Sequence, residues 1–117
     1  MDIRIERHPN PPATPDWDQL KFGKHFAPHM FITEWRDGAW HDPRVVPYGP
    51  LSLDPAAKVL HYAQEIFEGM KAYRSADGGR HMFRPDMNIA RFNRSAVRMS
   101  MPEVDTGMFL KALEILV

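Results

Sequence analysis

Apolar positions are sparse over the first twenty residues, dense and aromatic after His29, and spaced at helical intervals in three later stretches. Residues 1–20 hold Pro9, Pro11, Pro12 and Pro15 among Asn, Asp and Thr, and read as an extended, weakly structured arm. From His29, HMFITEWRDGAWHD alternates poorly but has the aromatic and β-branched content of strands. Asp37-Gly38 supplies a turn between arms Met30–Trp35 and Ala39–Trp40. PRVVPYGPLSLDP follows, with Pro43, Pro47, Pro50 and Pro55 around Gly49. Each proline removes a donor and restricts its predecessor, so the expectation is a shaped loop with at most a short edge strand.

Asp54-Pro55 then gives an N-cap oxygen ahead of a proline at the first helical position. Ala56, Leu60, Ala63 and Phe67 fall on one face of the expected helix, with Lys58, His61 and Glu65 on another, and Gly69 as its stop. Met70–Ser75 and Arg80–Arg84 read as a hairpin about Asp77-Gly78-Gly79. A helix starts near Asp86, just after Pro85, with Ile89, Phe92, Ala96 and Met99 on its apolar side. Pro102 ends it, and a last helix starts near Asp105. The order of strands, helix, hairpin, helix and helix is an α+β layer pattern, with no internal repeat. The apolar period runs through Leu113, Ile115 and Leu116 to Val117. It reads as a chain cut from a longer protein, the alternative being a terminal helix covered by a partner.

Composition narrows the function classes. The 117 residues suit one domain, able to bury roughly two thirds of its extended surface. Fifteen basic and fifteen acidic residues cancel, and no basic aromatic stripe exists, so no nucleic acid is expected as a partner. The absence of cysteine removes disulfides, thiolate metal sites and cysteine nucleophiles. The polar start MDIRIERHPNPP is not a secretion signal, and no apolar run approaches the length of a membrane span. A soluble, cytoplasmic protein without membrane association is the expectation. The eight methionines read first as flexible core filling.

Arg91, Arg94 and Arg98, spaced i, i+3, i+7, place three guanidiniums on one side of the 86–99 helix, with Arg84 just before it. Such a forked, permanently charged set suits a phosphate or carboxylate, and equally suits a solvated face paired with nearby acids. Tyr62 borders the apolar face of its helix, where a ring can be buried and its hydroxyl kept available. Phe22 stands beside Gly23, where backbone can approach a ligand closely. Glu65 and Glu68, three apart, do not by themselves indicate acid–base work. His25 and His29 are separated by Pro28, and no H-E-x-x-H pattern exists, so no metal is expected. G-x-S-x-G, G-x-G-x-x-G and phosphate-loop patterns are also missing.

Three segments go further: FGKHFAPHMFITEW (22–35), LSLDPAAKVLHYAQEIFEGMKAYR (51–74) and MFRPDMNIARFNRSAVRMSMP (82–102). Together and in this order they resemble the small N-terminal domain of branched-chain amino-acid aminotransferases, pyridoxal-phosphate enzymes of fold type IV. The family pattern ALHYAxExFEGxKAFR is met with Tyr73 where phenylalanine often stands. The resemblance implies an α+β small domain over residues 21–117, with antiparallel hairpins packed against helices, preceded by the arm at 1–20. It places the arginine that binds the 5′-phosphate of the cofactor, pyridoxal 5′-phosphate, on Arg91, with Arg94 and Arg98 structural. It places the substrate-pocket residues on Phe22, Tyr62 and Phe67, and no catalytic residue within the chain. The Schiff-base lysine and the acidic partner of the pyridine nitrogen belong to a second, larger domain. Lys21, Lys24, Lys58, Lys71 and Lys111 do not fall on its motif. For the full-length protein it implies a homodimer and a ping-pong exchange of the amino group. L-leucine, L-isoleucine or L-valine gives its amino group to 2-oxoglutarate, leaving branched-chain 2-oxo acids and glutamate; the 117 residues alone are expected to be inactive. Two alternatives stand beside it: a D-amino-acid aminotransferase or aminodeoxychorismate lyase of the same fold, and a non-catalytic interaction domain.

Overall fold

The structure, a computed structural model, describes residues 2–117. The chain divides into two compact units, Met1–Pro50 and Leu51–Ile115 with Val117.

The first unit is a three-stranded mixed sheet ordered β1-β3-β2, from β1 (Arg4–Ile5), β2 (His29–Arg36) and β3 (Ala39–Pro47). Strands β2 and β3 pair antiparallel through a two-residue turn, with Arg36 opposite Ala39. Asp37 (φ 50°) and Gly38 (φ 76°) both adopt positive φ, the mirror-image turn whose twist matches the flanking strands. β3 corrects the expectation of a proline-shaped loop, since it runs nine residues and is the central strand. Its internal proline, Pro43, is accommodated by a bulge. Asp42 and Pro43 together oppose Thr33 where the register shifts, and Asp42 takes φ 47°. The missing N–H of Pro43 thus falls where the ladder is already interrupted. The Thr33 hydroxyl donates to the His41 carbonyl oxygen at 2.9 Å beside it.

The N-terminal arm is also more ordered than its prolines imply. Arg4 and Ile5 pair in parallel with Arg44 and Val45, and the His8 N–H donates to His29 Nε2 at 2.9 Å. A single 3₁₀ turn, Trp17–Gln19, is capped by Asp16. Pro43 and Val45 of β3 are the buried residues of this unit's sheet among the described residues. Arg44 between them bridges Glu34 (2.9 Å) and Asp42 (2.8 Å), which hold its guanidinium pKa above the ordinary value.

The second unit holds α1 (Lys58–Tyr62), the antiparallel hairpin β4 (Ala72–Arg74) and β5 (Arg80–Met82), α2 (Pro85–Arg98) and α3 (Thr106–Leu116). The hairpin turn closes on Ser75, whose N–H donates to the Gly79 carbonyl oxygen, while Asp77 accepts from the Ser75 hydroxyl and the Gly79 N–H. Helix α2 starts with Pro85 at its first turn and ends in a Schellman closure. Ser100 takes φ 54°, and the N–H groups of Met101 and Ser100 return to the carbonyls of Ala96 and Val97. Asp105 caps α3 by accepting the Met108 N–H at 2.6 Å. Ile89 and Ala96 of α2 and Met108 and Ala112 of α3 are buried, with the Phe92 and Phe109 rings 5.8 Å apart. An open, largely apolar depression of about 280 Å³ lies beside Met82, Pro85, Leu110 and Leu113. Among the described residues no helix is long and apolar enough to cross a membrane.

The long helix expected from Asp54 to Gly69 is not formed. Asp54 Oδ1 accepts the Ala56 N–H at 2.7 Å in a turn, and α1 begins only at Lys58. It stops five residues later because Ala63 takes the left-handed conformation, φ 49° and ψ 36°. The segment after it carries no helical or strand assignment as far as Lys71.

Candidate functional site

Helix α2 sorts its side chains by its own period. At about 100° per residue, Arg91, Arg94 and Arg98 project from the side opposite Ile89, Phe92 and Ala96. Burying Ile89 and Ala96 therefore presents the three guanidiniums together. All three line one open depression of about 440 Å³, with Ile66, Phe67 and Met99 as its apolar part.

The other side of that depression is the segment 64–69, which runs antiparallel along α2. The Gln64 amide donates to the Met99 carbonyl oxygen at 2.8 Å at the C-terminal end of the helix. At the other end, Asn88 Nδ2 donates to the Gly69 carbonyl oxygen at 3.0 Å and to Glu68 Oε1 at 3.0 Å. The spacing explains why the expected helix is absent. Asn88 and Met99 are about 16 Å apart along a helix, at about 1.5 Å per residue. The five steps from Gln64 to Gly69 cover about 16 Å only when extended, at about 3.3 Å each. A helical segment would reach less than half that distance and lose one anchor.

Glu68 is the residue that sequence reasoning passed over. Its carboxylate meets the Arg91 guanidinium side-on, with Nε donating to Oε2 at 2.8 Å and Nη2 donating to Oε1. The Glu68 side chain is 6% exposed and that of Arg91 61% exposed, so the acid is enclosed and the base opens to solvent. The Arg91 hydrogen bonds, followed by that of Asn88, hold the Glu68 carboxyl down to about 2 from an ordinary 4.5. The same pairing raises the Arg91 pKa. An acid twenty-three positions from its arginine leaves no periodic signal in a sequence.

Arg94 and Arg98 have no carboxylate in ion-pair contact among the described residues, so the alternative of a face neutralised by neighbouring acids holds for Arg91 alone. Phe67 is 91% exposed at the edge of the arginine depression. Tyr62 is 77% exposed and lines a neighbouring open depression of about 380 Å³ with Lys58, Gln64 and Ser100. Arg98 and Met99 belong to both, so Tyr62, Phe67 and Arg91 are brought onto adjoining parts of one surface. The Tyr62 ring receives Lys58 Nζ at 6.0 Å from its centroid. Phe22 lies in the first unit, fully exposed, beside Gly23 at φ 70°.

This donor set fits a phosphate group. Glu68 takes two of the five guanidinium N–H groups of Arg91, which leaves three for a dianion. Arg94 and Arg98 add two positive charges against the one further carboxylate of the lining, Glu65, which is not in ion-pair contact with either, and Phe67 with Met99 gives an apolar wall. No lysine lines this depression, and no group of three metal-ligating side chains occurs among the described residues. The geometry is an open depression with an excess of positive charge, suited to an anion.

No protein-family model matches the chain. Among curated proteins it is 52% identical over 104 residues to branched-chain-amino-acid transaminase 1 of Bacillus subtilis, covering 88% of this chain and 29% of that protein. It is 56% identical over 97 residues to the probable branched-chain-amino-acid aminotransferase of Streptomyces coelicolor, covering 82% and 27%. It is 46% identical over 116 residues to branched-chain-amino-acid aminotransferase 2 of Bacillus subtilis, covering 98% and 32%. Identity at this level across most of the chain is homology. The chain is homologous to the branched-chain-amino-acid aminotransferases, the fold type IV pyridoxal-phosphate enzymes that its motifs resemble. It spans about 30% of the length of these relatives.

Proposed function

We propose that the protein carrying this chain is a branched-chain-amino-acid aminotransferase of the cytoplasm. It would transfer the amino group of L-leucine, L-isoleucine or L-valine to 2-oxoglutarate, with residues 21–117 as part of its small domain behind the arm at 1–20. The observation that carries the reading is the coincidence of homology with a depression suited to an anion: similarity spans 82–98% of the chain, and Arg91 of the shared motif opens three N–H groups into the arginine depression.

Pyridoxal 5′-phosphate, when bound, supplies the electron sink that labilises bonds at the substrate's α-carbon. The residues of this chain do the holding. Arg91 grips the phosphate by charge-assisted hydrogen bonds that fix both position and orientation. Phe67 offers an aromatic wall to an aliphatic side chain and excludes water from it, worth about 25 cal/mol for each Å² of apolar surface covered. Tyr62 supplies a ring face with a hydroxyl near the substrate carboxylate. The lysine that carries the cofactor, and a twofold partner subunit, belong to the proposed whole protein.

Amino transfer from L-leucine to 2-oxoglutarate by the whole protein, with D-alanine in parallel, tests the reading. Turnover of L-leucine with little of D-alanine is expected. Equal or better turnover of D-alanine would assign the chain to the D-amino-acid branch, and no transfer from either would end the proposal.

A further inference from the structure

Resting on that reading, we infer that Glu68, held by Asn88, is the positioning residue that aims Arg91 at the phosphate. A guanidinium has a side-on edge, Nε with Nη2, and an end-on edge, Nη1 with Nη2. Glu68 closes the first edge with both carboxylate oxygens. This fixes the plane and rotation of a side chain that is otherwise 61% exposed and rich in rotamers. What remains is the end-on edge, three N–H groups in a fixed fork, able to meet two phosphate oxygens at once.

The acid itself cannot swing away easily. Its side chain is enclosed, and Asn88 ties one of its oxygens while also holding the Gly69 carbonyl oxygen. Asn88 lies three residues before Arg91 on α2, so helix, carboxylate and guanidinium form one closed circuit through segment 64–69. Two effects of Glu68 on an incoming dianion oppose each other: its charge repels, and its geometry prepares the fork. Repulsion is weakened by the Arg91 charge directly between them and by solvent on the open side. Arg94 and Arg98, in the same depression, outnumber its other acid, Glu65, and keep the field positive. Preparation is the larger effect, because each rotamer of Arg91 not frozen by Glu68 must be frozen by the ligand.

The test compares affinities of the whole, cofactor-stripped protein for pyridoxal 5′-phosphate and for pyridoxal, which lacks the phosphate, measured by absorbance titration. In Glu68→Gln the affinity for the phosphate ester should fall about tenfold, the worth of roughly one well-aimed charge-assisted hydrogen bond. Affinity for pyridoxal should stay the same. Asn88→Ala, which leaves the carboxylate in place but loosens it, should give a smaller loss in the same ratio, and serves alone if Glu68→Gln does not fold. Inorganic phosphate should compete less well against the ester in both variants than in the parent. A parallel fall for ester and pyridoxal would show a merely structural role and overturn the inference. So would unchanged or tighter binding of the ester. Arg91→Ala separates the two levels. If it leaves the ester-to-pyridoxal ratio intact, the phosphate reading of Arg91 fails; if it collapses the ratio while Glu68→Gln does not, only the positioning role fails.

Discussion

Asn93 and Val104 bridge the turn between α2 and α3 in both directions. The Asn93 Nδ2 donates to the Val104 carbonyl oxygen at 2.9 Å, and its Oδ1 accepts the Val104 N–H at 2.9 Å. One side chain thus satisfies both backbone groups of a residue in a connection that Pro102 keeps out of helix. Asn93→Ala leaves a part-buried donor and acceptor without partners. It should lower stability by about 1–3 kcal/mol, read as a shift of the urea midpoint. Asn93→Asp, which keeps the acceptor but loses the amide donor, should fall between parent and alanine.

Acid should release the Glu68–Arg91 pair. The folded pKa of Glu68, about 2, lies below its ordinary 4.5, so the pairing contributes fully above pH 4.5 and is lost as pH falls through 2. Stability measured between those pH values should therefore decline more steeply in the parent than in Glu68→Gln. Identical slopes would contradict the geometry.

Phe67 allows stability and function to be separated. Being 91% exposed, it adds little to packing, and Phe67→Ala should change stability by no more than about 0.5 kcal/mol. In the whole protein the same substitution should raise KM for L-leucine far more than for L-glutamate, whose side chain gains nothing from an apolar wall. A uniform change for both amino acids would remove Phe67 from the proposed pocket.

The β2–β3 turn makes a backbone prediction. Gly38 has open space where a Cβ would stand, so any cost of Gly38→Ala comes from φ 76° alone. The loss should be about 1 kcal/mol. Gly49→Ala, also in open space but without positive φ, should be near neutral in the same thermal melts.

On the proposed reading, in which the cofactor-bearing lysine belongs to the whole protein, the 117 residues alone should not transfer amino groups between L-leucine and 2-oxoglutarate. Turnover above background by the purified polypeptide, lost in Arg91→Ala, would refute this.

Local signals were legible wherever one residue type had one physical use. Asp37-Gly38 placed the hairpin turn, Pro85 opened α2, and Asp105 capped α3. Prolines misled between 43 and 47, while residues 48–55 form the expected loop. Their missing donors argue against a central strand, and only the pairing with β2 shows that Asp42 and Pro43 share a bulge opposite Thr33. Helical spacing misled at Ala63 and Phe67, because a period of apolar residues cannot report that Gln64 and Glu68 are claimed by Met99 and Arg91.

The sequence by itself determined the α+β class, the helix that collects Arg91, Arg94 and Arg98 on one face, and the motifs shared with branched-chain-amino-acid aminotransferases. All of these depend on residue type and short spacing. Tertiary structure alone decided that segment 64–69 is extended, that Glu68 is enclosed against Arg91, and that Tyr62 and Phe67 open onto adjoining depressions. The physical reason is distance. A hydrogen bond between residues far apart in the chain exists only once packing has brought them together, and here it outweighs the helical propensity of the segment that makes it.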